Sequence, residues 1–419
     1  MIGNFKRFDF QKKPLRQRNY LRPIVWALSY PAVWSHKTKI IKTGIEGLKP
    51  PYLILCNHNA FLDFMVLSAA IFPHRANYVV AIDGFLINEW LLRNVGCIGN
   101  RKFTNSIALV KNIIRAKNNG DIVALYPEAR YSLCGTQSEL PQSVGKLIKM
   151  MGVPVATLIC HGHHVNSPFW RTGNQGVKRL EAEFTLLLTA GETKTLPVPE
   201  INKKIADAMV YDDFAWQKAN NIRIENKNRA EGLHKVLYQC PACGAEYKMS
   251  SAQDELYCGR CGKRWRMTEL GELEAVSGST EFSHIPDWYE WERENVRREV
   301  ENGTYSFSAK VRVDSLPNAK KFVDLGEGML IHNMDGFVLT GEYQGEPYEE
   351  RWAPKALYAC HIEYNYAKKG DCIDLNNIAD TLYIYPKGEN FSVTKIALAT
   401  EELHKKALRA EKIKEAASV

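Results

Sequence analysis

YLILCNHNAFLD, residues 52–63, passes from an apolar stretch of strand character into a short polar break and then into a helix-like run, AFLDFMVLSAAI. An Asn-His pair, Asn57 and His58, closes the apolar stretch, and Asp63 stands five positions beyond the histidine. Along one continuous helix that spacing turns two side chains well apart, so they meet only if His58 lies on the loop and Asp63 in the first helical turn. The segment has that form, with the strand ending at Asn57. It predicts an imidazole that acts as general base and a carboxylate that orients it.

Outward from this stretch, between about residues 50 and 160, short apolar runs alternate with helical patterns. That alternation is the signature of a mostly parallel sheet flanked by helices, an α/β fold. Candidate strands are 52–56, 78–82, 97–99, 122–126 and 155–160, with a further strand within 178–190. TNSIALVKNIIRAKNNG reads as a helix that stops at Gly120, and VPEINKKIADAMVYDDFAWQKAN as one more helix. Ligands of an open parallel sheet gather beyond the carboxyl ends of its strands. His58, Arg101 and Glu128 each follow a candidate strand and should share that rim.

Beyond residue 232 the character changes. In CPACG and CGRCG, fourteen residues separate Cys243 from Cys258, and Cys240, Cys243, Cys258 and Cys261 form two knuckles, each followed by a glycine. The spacing predicts a zinc ribbon with four thiolate ligands and no open coordination position, hence a structural metal. Two disulfides would need an oxidising compartment, whereas the six other cysteines lie mostly in apolar runs, as in a reducing cytosol. From about residue 280, TYSFSAKVRVD, GMLIHN, GFVLTGEY, YACHIEYN, CIDLN and TLYIYP alternate in strand fashion before a helical tail. The expectation is an antiparallel β domain with a terminal helix, pleckstrin-homology-like in pattern. The expected domains are thus 1–24, a basic membrane-surface segment; 25–232, the α/β domain; 236–276, the zinc ribbon; and 280–419, the β-rich domain.

The 419 residues are 45% hydrophobic and 24% charged, a globular balance, with a formal charge of +8. Seven cations from Lys6 to Arg22 face the single acid Asp9, interleaved with Phe5, Phe8, Phe10, Tyr20 and Trp26. That mixture suits an anionic membrane surface, a solvated tail being the plainer alternative and nucleic acid not expected. The best apolar stretch, YLRPIVWALSYPAVW, is broken by Arg22, Pro23 and Pro31, so no membrane-spanning helix is expected. With no apolar core and cleavage site at the start, the expected place is the cytoplasm, peripheral on the inner face of the cell membrane.

Four ordered blocks give the first half a resemblance. NHNAFLD resembles the NHxxxxD block of the phospholipid acyltransferase family that includes lysophosphatidic acid and glycerol-3-phosphate acyltransferases. GCIGNR is similar to its second block, with Gly96 and Arg101 in place; YPEARYS resembles its third, FPEGTRS; and VPVATL echoes the fourth at Pro154. The third block departs: Ala129, Arg130 and Tyr131 replace Gly, Thr and Arg, so the guanidinium is displaced by one residue. The resemblance covers roughly residues 25–200. It implies transfer of a fatty acyl group from acyl-CoA or acyl-ACP to the hydroxyl of a lysophospholipid, with 1-acylglycerol-3-phosphate as the acceptor. His58 and Asp63 would be the catalytic pair, and Asn57, Gly96, Arg101, Glu128 and Arg130 the substrate-binding residues, the arginines gripping phosphate in paired bonds.

Two rival constellations are weaker. Cys56 and His58 as a nucleophile pair would need a reactive thiol, yet Cys56 sits in an apolar run. His161, His163 and His164 in CHGHHVN would need an acid to complete a metal site of that kind and read better as a loop lining the cleft. A different class of function, a non-catalytic lipid-binding scaffold that recruits a partner through the ribbon and the C-terminal domain, is the alternative to the enzyme.

Overall fold

Apolar runs set the central sheet. In the computed structural model, which describes residues 2–104, 106–377 and 379–417, the first seven strands are β1 (Lys39–Thr43), β2 (Leu53–Cys56), β3 (Ala76–Ala81), β4 (Ile98–Asn100), β5 (Ile122–Leu125), β6 (Val155–His161) and β7 (Glu181–Leu188). They form one sheet in the order β1-β7-β6-β2-β5-β3-β4, parallel except for the β6/β7 pair. β2, in the middle, is buried along its whole length, as a strand covered by helices on both faces must be. The five strands expected over 52–160 are present within a few residues, and β1, an edge strand of sequence KIIKT, is additional.

The single helix expected over VPEINKKIADAMVYDDFAWQKAN is two, Val198–Ala208 and Asp213–Ala219. Asp212 between them accepts a hydrogen bond from the Ala215 N–H at 2.8 Å and starts the second helix as its cap.

The ribbon strands β8 (Met249–Ala252), β9 (Glu255–Cys258), β10 (Arg264–Met267) and β11 (Leu273–Ala275) make a small antiparallel sheet. Trp265 packs edge-on against Trp288 of the helix Ile285–Glu301, ring centroids 4.9 Å apart. That helix in turn lies against the terminal helix Val393–Ala417.

Strands β12 (Ser306–Leu316), β13 (Val323–Asn333), β14 (Gly336–Tyr343), β15 (Glu346–Trp352), β16 (His361–Glu363), β17 (Cys372–Asn376) and β18 (Thr381–Pro386) follow. Their order is β15-β14-β13-β12-β18-β17-β16, antiparallel throughout. β12 is the shared strand: it pairs with β13 along most of its length and with β18 over its second half, with an irregularity at Val313/Asp314. The seven antiparallel strands and closing helix are the arrangement expected from the alternating segments.

The N-terminal segment departs from the expectation of a stretch laid on a membrane. Phe8 is buried, its ring 5.1 Å from Phe85 and under the Arg93 guanidinium. It fills a notch over Gly99, where an added Cβ would stand 2.6 Å from the ring. The Phe8 N–H donates to the Pro317 carbonyl at 2.9 Å and Arg7 pairs with Asp380 at 3.1 Å. Phe8 is therefore satisfied by protein, and the segment straps the α/β domain to the C-terminal sheet.

Among the described residues no helix is long and apolar enough to cross a membrane. The helix Arg22–Ser35 nonetheless presents an apolar outer face. Val25, Ser29 and Val33, four residues apart, face inward, while Ile24, Leu28 and Trp34 are 53%, 66% and 70% exposed. It packs on the helix Leu62–Ala70, which carries Asp63.

Candidate active site

The loop after β2 turns directly into the helix Leu62–Ala70, and Asp63 occupies its first turn. His58 Nδ1 lies 3.2 Å from Asp63 Oδ2, so loop and helix bring the pair together as the spacing requires. The same oxygen accepts the Asn59 and Ala60 N–H groups at 2.6 and 3.0 Å. The other oxygen, Oδ1, meets His163 Nδ1 at 2.6 Å. Burial would raise the Asp63 carboxyl, but the bonds from His163 and His58 outweigh it and hold the group far below the usual carboxylate range. Asp63 is thus a fixed anion on which two imidazoles rest.

Further contacts fix His58 and the strand end that carries it. Asn57 donates its side-chain N–H to the Cys160 carbonyl at 2.9 Å and accepts the Cys160 N–H at 2.8 Å, pinning the end of β2 to β6. The His58 N–H points to Glu128 Oε1 at 3.3 Å, and the His58 carbonyl accepts the Ser132 N–H at 2.8 Å. The ring centroids of Tyr126 and Tyr131 lie 4.3 Å from the imidazole. The His58 side chain remains 25% exposed, and its Nε2 bonds to none of the described residues. A base with one nitrogen tied and the other open is the geometry proton abstraction needs.

Glu128 lies under the rim. Its Oε2 accepts the Ser138 N–H at 2.8 Å, and burial raises its carboxyl to about 7 against the pull of these N–H donors. It therefore acts on His58 through the main chain, as a brace.

Gly96 and the cations of the second and third blocks are directed elsewhere. Gly96, at the amino end of β4, has φ +94° and packs against Ala76 and Asn77, away from the rim. Arg101 follows β4 but is buried: it donates to the Ala379 carbonyl at 2.5 Å, and its guanidinium lies 4.6 Å from the Phe10 ring centroid. Burial lowers it to about 10. Lys102 pairs with Asp83 at 3.2 Å. Arg130 is buried and bonded to Glu401 of the terminal helix and to the Cys360 carbonyl. Burial works against its charge, and Glu401 more than compensates.

The histidines of CHGHHVN separate. Gly162, at φ +79° and against Trp216, turns the chain sharply after β6 and aims His163 back at Asp63. His161 stacks on Trp216 and His164 meets Trp170 and Phe214 edge-on. No shared metal site arises from the three. Asp63, Cys160 and His163 do lie within 4.8 Å of one another. The 2.6 Å separation of His163 and Asp63 is a direct hydrogen bond, too short to hold an ion between them. Cys56 is fully enclosed and its thiol is pushed up by burial, which leaves it inert.

In the ribbon, the sulfurs of Cys240, Cys243, Cys258 and Cys261 all lie within 4.8 Å of one another, Cys240 and Cys261 at 3.7 Å and Cys243 and Cys258 at 3.9 Å. A tetrahedron with zinc–sulfur bonds of about 2.3 Å has edges of roughly 3.8 Å. The four cysteines fit such a metal, and the separations are far beyond a sulfur–sulfur bond.

The raised Glu128 carboxyl has a consequence for stability. Between the ordinary glutamate value of 4.5 and about 7, the unfolded chain has released a proton that the native chain keeps, so this group makes stability fall as pH rises through that window. Denaturation midpoints of wild type and Glu128→Gln at pH 5 and pH 8 check this. The variant should lose part of the fall, and an identical fall in both proteins contradicts it.

Comparison with known proteins finds a family for part of the chain. The acyltransferase family model matches residues 36–161, and that of ribosomal protein S27a matches residues 224–267, which span the four cysteines. No curated protein matches the chain. Among solved structures, that of the 1-acyl-sn-glycerophosphate (LPA) acyltransferase PlsC from Thermotoga maritima is similar at 14% identity and a TM-score of 0.38, over 45% of this chain and 77% of that one. Residues 36–161, which hold the loop, the helix and the strand that meet at Asp63, are a domain of the acyltransferase family.

Proposed function

We propose that the protein moves a fatty acyl group from acyl-CoA or acyl-ACP to the hydroxyl of a lysophospholipid, with 1-acylglycerol-3-phosphate as the first acceptor to test. The carrying observation is the His58–Asp63 pair, 3.2 Å apart with the imidazole still open on one side. A hydroxyl attacks a thioester slowly because its pKa lies far above neutrality. His58 Nε2 takes that proton as the oxygen–carbon bond forms. The tetrahedral adduct then collapses with loss of the carbon–sulfur bond, and the imidazolium returns the proton to the departing thiolate. Asp63 keeps Nδ1 protonated and stabilises the imidazolium, the part an aspartate plays in a hydrolase triad.

A second reading, a lipid-binding scaffold without turnover, is favoured by one observation: Arg101 and Arg130 are bonded into the C-terminal domain, not held out to a phosphate. Purified protein incubated with palmitoyl-CoA and lysophosphatidic acid, with thiol release followed, separates the two. The acyltransferase reading expects turnover that His58→Ala abolishes and Asp63→Asn lowers by about 10⁴-fold. Turnover that survives His58→Ala contradicts it, and lipid binding without turnover over a panel of acceptors supports the scaffold.

We assign a structural zinc to Cys240, Cys243, Cys258 and Cys261, which would release protons on loading and close the two knuckles. Elemental analysis should find one zinc per chain, and a strong chelator should lower the thermal midpoint. A metal-free protein of unchanged midpoint contradicts the assignment.

The outer face of helix Arg22–Ser35, with no charge between Pro23 and Ser35, is the surface we assign to the membrane. The helix would lie along an interface, and the exposed cations Lys12, Lys13 and Arg18 precede it in the chain. On this reading the protein is cytoplasmic and peripheral on the inner face. Co-sedimentation with anionic phosphatidylglycerol vesicles should fall about tenfold on Leu28→Glu; unchanged sedimentation of the folded variant contradicts the assignment.

A further inference from the structure

The third block wraps around His58, and its centre is held from outside the acyltransferase domain. Glu128 receives the His58 N–H, Tyr131 lays its ring 4.3 Å from the imidazole, and the Ser132 N–H reaches the His58 carbonyl at 2.8 Å. Four consecutive residues beyond Glu128 thus close a collar on the base. Its first residue, Ala129, has φ +55°, a left-handed conformation that an alanine does not adopt unaided. The second, Arg130, carries no contact to His58. Its guanidinium runs the other way, to Glu401 on the helix Val393–Ala417 and to the Cys360 carbonyl beside β16.

Glu401 is fully buried, and its two oxygens are divided: Oε1 meets Arg130 and Oε2 meets Arg293 of the helix Ile285–Glu301. A buried carboxylate between two buried guanidiniums has little freedom, because any displacement leaves a charge unmatched. The strained turn is therefore clamped to the rigid packing of the two long helices.

We infer that Glu401 is a positioning residue for the His58 base, acting through Arg130 and the collar Ala129–Ser132. This rests on the acyltransferase reading above. A collar that loosens moves Tyr131 and the His58 carbonyl together, and misplacement of a base by about 1 Å is enough to cost on the order of 10²-fold in rate.

Arg130→Met tests the inference without stranding a charge, since Glu401 keeps Arg293 as its partner. Glu401→Gln tests the same link from the other side. Glu402→Gln is the control. Glu402 is equally buried and pairs with Arg297, Lys405 and, at 3.6 Å, Arg293, but it makes no contact with the collar. With palmitoyl-CoA and lysophosphatidic acid, Arg130→Met and Glu401→Gln should each lower kcat about 10- to 100-fold with KM for both substrates within about threefold. Glu402→Gln should lower the thermal midpoint while kcat stays within about threefold of wild type. A merely structural role predicts that kcat follows the midpoint in all three. Folded Arg130→Met with wild-type kcat overturns the inference. His58→Ala, measured alongside, separates the two levels: if it abolishes turnover while Arg130→Met does not, only the positioning role fails, and if it leaves turnover intact the base assignment itself fails.

Discussion

A carboxylate with no exposure to water is tolerable only when its lone pairs are filled, and the site is built around one such group. Asp63 takes two main-chain N–H groups and two imidazoles at 2.6 to 3.2 Å. Each partner comes from a separate requirement of the fold: the loop after β2 supplies the two N–H groups and His58, the first helical turn supplies the accepting carboxylate, and the sharp turn after β6 supplies His163. Charge-assisted bonds of this kind are roughly twice as strong as neutral ones, and losing any of them leaves an uncompensated buried anion. The constraint therefore runs both ways. The fold holds Asp63 charged, and the charge holds His58 in one orientation with Nε2 turned outward.

The appended modules bear on the same few ångströms. The ribbon packs by Trp265 on Trp288, that helix pairs through Arg293 with Glu401, and Glu401 reaches Arg130 in the turn that encloses His58. From the other side the N-terminal strap joins Phe8 to Pro317 and Arg7 to Asp380, close to the segment that receives Arg101. The cations of the second and third blocks thus serve as interdomain ties. An acceptor phosphate would meet groups other than these guanidiniums in this arrangement.

What the sequence made legible was local. The central strands stand out because a strand buried on both faces is a continuous apolar run, and His58 and Asp63 because a strand, a loop and a helical turn lie within twelve residues. The four cysteines are legible for the same reason: two knuckles, each closed within four residues. β1 was not, since KIIKT at a sheet edge shows two lysines and little apolar surface. His163 lies one hundred positions from Asp63, and its partner is decided by the turn at Gly162. The pull of Glu401 on Arg130 spans 271 positions and leaves no local trace. Phenylalanines interleaved with cations suit a membrane or a protein groove equally well. The notch at Gly99 that selects the groove is formed only once β4 has joined the sheet.

The central claim is that Asp63 fixes the His58 imidazole with Nδ1 protonated and Nε2 free to accept. A long-range ¹H–¹⁵N spectrum of the histidine side chains at pH 8, assigned by comparison with His58→Ala and His163→Phe, reads that tautomer directly. The account predicts a protonated Nδ1 and a bare Nε2 for His58, with the His163 Nδ1 proton likewise held on Asp63. A His58 ring protonated at Nε2, or one that averages between the two tautomers, contradicts it.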